Sequence, residues 1–69
     1  MKLLINGQTK EVPDAGHAQS VAGLVAQFCK HKKNIMAEVN GRIIAPADWE
    51  KTAIKEGDAV ELVAFVGGG

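Results

Sequence analysis

The sequence predicts an α+β domain in which one helix packs across a sheet of four to five strands. Three observations predict it. Asn-Gly occurs twice, at Asn6-Gly7 and Asn40-Gly41, each time between short strand-like runs. That dipeptide favours the positive backbone angles of a tight hairpin turn. Val21, Leu24, Val25 and Phe28 fall at i, i+3, i+4 and i+7, the single apolar stripe of one amphipathic helix. A last apolar run, Ala59 to Val66, has the length and alternation of a strand.

Composition bounds the rest. Sixty-nine residues, 46% apolar and 23% charged, are ordinary for one globular domain. A chain near this size buries only about 60% of its unfolded surface, so its stability is modest. Eight Lys and Arg balance eight Asp and Glu, so nothing draws the chain to phosphate backbones and nucleic acid is not an expected partner. No apolar run is long enough to span a bilayer and no signal peptide is evident, which points to a soluble cytoplasmic domain without a membrane partner. The single cysteine, Cys29, cannot form an internal disulfide, and no metal-ligand spacing surrounds it.

In order, Met1 to Ile5 reads as a strand with Met1, Leu3 and Ile5 on the core face and Leu4 facing outward. Gln8 to Val12 returns from the turn and stops at Pro13; Asp14 to Gln19 is a loop. Ser20 is the candidate N-cap of the helix. Gly23 weakens that helix by about 1 kcal/mol against alanine, so packing on the sheet must hold it. Lys30-His31-Lys32-Lys33 reads as the helix end, complementing its dipole, in preference to a docking patch. Cys29 reads as a half-buried structural thiol with no acid or base partner. Asn34 leads into the strand Ile35 to Val39, and Arg42 to Ala45 returns and is stopped by Pro46. Asp48 to Lys51 forms a short helical turn whose Trp49 is a packing anchor, and Glu56-Gly57-Asp58 turns into the last strand.

In that strand Val60, Leu62, Ala64 and Val66 share the core side, because Glu61 must face water. Val63 and Phe65 are then exposed on the outer face. Leu4 joins them if the first strand neighbours the last, and such a cluster reads as a partner-docking surface. The domain is expected to span 1–66, with 67–69 a flexible tail of Gly67, Gly68 and Gly69. Glycine lets other groups approach the backbone closely. The tail's one distinctive group is the carboxylate of Gly69, which suits handling by another protein's active site; a frayed end or a cloning scar is the alternative.

Two strands, a helix, two short strands, a helical turn and a final strand are the element order of a β-grasp, or ubiquitin-like, fold. There the first and last strands pair in parallel at the centre of a mixed sheet. The chain also resembles bacterial sulfur carriers of the ThiS family, within the wider ThiS/MoaD group. The resemblance rests on Asn6-Gly7, Ser20-Val21, Val39-Asn40-Gly41 with Ile43-Ile44, then Pro46, Asp48 and Trp49. It closes with Glu56-Gly57-Asp58, Val60-Glu61-Leu62-Val63 and Phe65-Val66-Gly67-Gly68-Gly69.

This resemblance implies a carrier, not an enzyme, with no cofactor bound by the chain itself. An E1-like adenylating enzyme (ThiF/MoeB-like) would use ATP and magnesium to convert the Gly69 carboxylate to an acyl-adenylate. A persulfide from a cysteine desulfurase or a rhodanese-type donor would then replace AMP, leaving a thiocarboxylate on Gly69. Gly67 and Gly68 would thread into a narrow active site that a side chain would block, although two terminal glycines suffice in the family pattern. For ThiS-like members the acceptor is thiazole synthase, which builds the thiazole ring of thiamine.

Relatives in the group carry sulfur for molybdopterin, for tRNA thiolation, or for cysteine and homocysteine synthesis. The short chain and the Trp49 segment favour the ThiS-like branch. A non-covalent β-grasp interaction module and a ubiquitin-like protein modifier joined through Gly69 are the other classes. Neither His17 nor His31 has a nucleophile or carboxylate partner at a meaningful spacing, which speaks against an enzyme.

Overall fold

A computed structural model describes residues 1–14, 19–30 and 34–65. Its elements are β1 (Lys2–Ile5), β2 (Gln8–Glu11), α1 (Val21–Phe28), β3 (Ile35–Val39), β4 (Arg42–Ile44), a 3-10 helix (Pro46–Lys51) and β5 (Ala59–Ala64). The sheet order is β2-β1-β5-β3-β4. Among the described strands only β1 and β5 run parallel, with Leu4 opposite Ala59 and Ile5 opposite Val60; the other pairs are antiparallel. This is the β-grasp arrangement, and it puts the last strand in the middle.

Both Asn-Gly pairs make the expected turns, with Asn6 and Asn40 at φ 51 and Gly7 and Gly41 at φ 81 and 86. Glycine fits this left-handed region without steric cost, and asparagine tolerates it because its side chain bonds locally. The helix begins as its sequence suggests: Ser20 Oγ accepts from the Gly23 N–H at 3.1 Å. Backbone bonds from Val21 N–H to Thr52 O (3.0 Å) and from Ile54 N–H to Gln19 O (2.7 Å) tie the helix start to the segment after the 3-10 helix. Trp49 anchors that segment, its indole N–H donating to Ile44 O at 2.9 Å while the ring packs on the core.

One stripe from each of β1, α1, β3 and β5 fills the core. Leu3 and Ile5 from β1, Val21 and Leu24 from α1, Ala37 from β3, and Val60 and Leu62 from β5 are all buried, with Val12, Cys29 and Ile54 closing the ends. Val25 and Phe28 complete the helix stripe as half-buried residues packed against this cluster.

The helix end differs from expectation. Cys29 leaves the helical region at φ −129 and ψ 39, while its N–H still donates to Val25 O. Its side chain is only 8% exposed, so burial of the thiol takes the chain out of the helix one residue before the basic run. No basic residue lies in the last helical turn. His31, Lys32 and Lys33 lie outside the described residues, as does His17 in the first long loop. The last strand is also shorter than the apolar run, ending at Ala64.

Candidate functional site

The candidate site is the exit of β5 and the sheet face around it. Val66 and the three glycines, Gly67, Gly68 and Gly69, lie outside the described residues, so the site is built up to the point where they begin. Two side chains hold β5 in place. Asn6, in the β1–β2 turn, accepts from the Leu62 N–H at 2.8 Å through Oδ1 and donates from Nδ2 to Leu62 O at 3.1 Å. Its amide thereby stands in for one more residue of β1 and extends the parallel ladder past Ile5.

Asn40, in the β3–β4 turn, serves the start of β5. Its Oδ1 accepts from Ala59 N–H at 2.9 Å, and its Nδ2 donates to Asp58 Oδ1 at 3.0 Å. Asp58 Oδ2 in turn accepts from the Lys55 N–H at 2.8 Å. Beyond β5 one more backbone bond, from Phe65 N–H to Asn34 O at 3.0 Å, carries the pairing with the β3 side to the edge of the tail.

The alternation along β5 is the expected one. Val60 and Leu62 are buried, while Val63 is 40% and Phe65 54% exposed, and Leu4 on β1 is 42% exposed. The register adds what alternation cannot. Leu4 lies opposite Ala59, four residues before Val63 on β5, a separation of about 13 Å at ~3.3 Å per residue. Leu4, Val63 and Phe65 therefore share a face but do not form one cluster. Val63 and Phe65 sit at the tail end with Met36, which is opposite Val63. Between the two ends, Glu61 lies directly opposite Glu38, and Glu38 directly opposite the 64%-exposed Ile43.

Sequence reasoning named Leu4, Val63 and Phe65 but passed over Met36, Glu38 and Ile43, whose place on this face follows only from the β3 register. Asn6 and Asn40 form the turns and, in addition, bond the backbone of β5 through their side-chain amides. Among the described residues, no group of three His, Cys, Asp or Glu is placed to hold a metal ion. No described helix is long and apolar enough to cross a membrane. Chemically, the described part offers a sheet face and a firmly held strand end.

Comparisons with known proteins agree with this geometry. The crystal structure of the thiamine biosynthesis protein ThiS from Geobacter metallireducens superposes with a TM-score of 0.78 at 32% identity, over 100% of both chains. A solution NMR structure of a thiamine biosynthesis protein from the same organism gives a TM-score of 0.73 at 33% identity, covering 100% of this chain and 88% of that one. A protein named thiazole synthase, from Paramagnetospirillum magneticum, is 30% identical over 69 residues; the chain spans only 20% of that relative's length. The sequence model of the ThiS family matches residues 3–69. The chain belongs to the ThiS family.

Proposed function

We propose that the chain is a sulfur carrier for thiamine biosynthesis, with the carboxylate of Gly69 as the group that is activated and loaded. The observation that carries the reading is the match of the family model through Gly69, joined to a strand end held firmly up to Phe65. A carboxylate resists nucleophiles until it bears a good leaving group. In the proposed sequence a Gly69 oxygen attacks the α-phosphorus of ATP on the adenylating enzyme, releasing pyrophosphate and forming the acyl-adenylate. The terminal sulfur of a donor persulfide then displaces AMP, and a second thiol cleaves the resulting S–S bond to leave the thiocarboxylate.

The chain supplies no acid, base or metal to these steps. Its part is to be recognised through the outer face, where Leu4, Val63 and Phe65 would dock, and to present Gly67, Gly68 and Gly69 as a thin arm. Magnesium and ATP belong to the partner. The proposed acceptor is a thiazole synthase. A relative of that name that contains a segment matching this whole chain supports the pairing, since a carrier and its acceptor gain effective concentration when joined in one polypeptide.

The test is made at the free end. Deleting Gly68 and Gly69, or adding one residue after Gly69, is expected to abolish thiazole formation in a reconstituted system while leaving the melting curve unchanged. Full activity of either variant would mean that the tail carries no sulfur.

A further inference from the structure

We infer that Glu38 and Glu61 together form the seat for an arginine side chain of the adenylating enzyme that covers the outer sheet face. This rests on the docking reading above and specifies the chemistry of the partner. The two glutamates are directly opposite across β3 and β5. Directly opposed like charges destabilise a sheet. Among the described residues neither carboxylate has a cation partner. The free protein tolerates the pair because Glu61 is exposed and Glu38 half-exposed, so water solvates both charges.

Position turns this tolerance into a requirement. The pair lies between Leu4 at one end of the face and Val63 with Phe65 at the other. A partner that covers both ends must also cover the middle and strip water from two carboxylates of the same sign. Desolvated charges without a counter-charge cost more than the surrounding apolar contacts return. The partner must therefore bring positive charge to this point.

The surface has room for one side chain there. A depression of ≈ 260 Å³ lies over the pair, bordered by Leu4, Ala59, both glutamates and the hairpin glycines Gly7 and Gly41. A water occupies about 30 Å³ in the liquid, so the space has the volume of several waters. No neighbouring atom lies within 4 Å of where a side chain would begin at Gly7 or Gly41, so both rims are open. Arginine fits better than lysine: its planar fork of five donors can reach two carboxylates at once, and its aliphatic stem suits Leu4 and Ala59.

The experiment compares the wild type with E38Q, E61Q and E38Q/E61Q, and uses F65A as a separate probe of the docking face. Calorimetry measures binding to the adenylating enzyme of the same host, and thermal melts follow each free chain. The double variant is expected to bind at least about tenfold more weakly yet melt about 2–5 °C higher, because the like-charge contact is gone. Binding of the double variant within about twofold of wild type, with F65A still weakened, would overturn the arginine seat and leave the docking face standing. If F65A also binds normally, the docking face itself falls. Weaker binding with a lowered melting temperature would mark the glutamates as structural and likewise overturn the inference.

Discussion

Asn6 grips Leu62 with both atoms of its side-chain amide, accepting from the Leu62 N–H at 2.8 Å and donating to its carbonyl at 3.1 Å, across 56 residues of sequence. The contact joins the first turn of the chain to the strand that ends in the tail. It satisfies both backbone groups of Leu62 on the side where β1 has already ended.

Removing that grip should loosen the last strand. Asn6→Ala is expected to cost about 1–3 kcal/mol, because a donor and an acceptor of β5 lose their partners, with added strain from alanine at φ 51. Asn6→Gly keeps the backbone geometry and isolates the side-chain contribution. Asn6→Asp keeps the acceptor but sets a carboxylate oxygen against Leu62 O, so it should be worse than glycine. Urea denaturation of the three variants gives the ranking; a neutral Asn6→Gly would show the two bonds to be incidental.

The two faces of β5 should separate stability from recognition. Leu62 is 6% exposed, and Leu62→Ala should destabilise by about 2–5 kcal/mol. Phe65, 54% exposed, can be cut to alanine with less than about 0.5 kcal/mol change in stability, and Phe65→Ala should weaken binding to the adenylating enzyme. Melting curves and calorimetry on both variants check the assignment; a destabilised Phe65→Ala with normal binding would reverse it.

Much of this was legible in the residues. The spacing of Val21, Leu24, Val25 and Phe28 reports the helix because burial needs one stripe. Ser20, the Asn-Gly turns and the alternation of Val60 to Phe65 report local geometry through local chemistry. Position along a face is different. Period two says that Leu4 and Val63 share a side of the sheet, but the distance between them depends on how β1 slides against β5, and that is settled by contacts between distant segments. The Glu38–Glu61 opposition and the Asn6–Leu62 bonds escaped for the same reason. The exact helix end escaped because Cys29 is drawn into the core, a tertiary effect that ends the helix at Phe28.

Cys29 should have no part in sulfur transfer. The thiol is buried among core side chains, and the proposed sulfur sits on Gly69. Cys29→Ser is expected to lower stability by about 1–3 kcal/mol, as a hydroxyl replaces a thiol in an apolar site. Its transfer activity should remain at the wild-type level when assayed well below the melting temperature. Loss of transfer by a folded Cys29→Ser protein would make Cys29 a relay.

The most direct test of the carrier reading is the intact mass of the protein purified from its native host, with the altered peptide located by fragmentation. The account predicts a species in which sulfur has replaced one oxygen, placed on the peptide containing Gly67, Gly68 and Gly69 and lost on alkaline hydrolysis. A tail that stays unmodified even with the native adenylating enzyme, ATP, magnesium and a persulfide donor present would contradict it, and would leave the chain an interaction module.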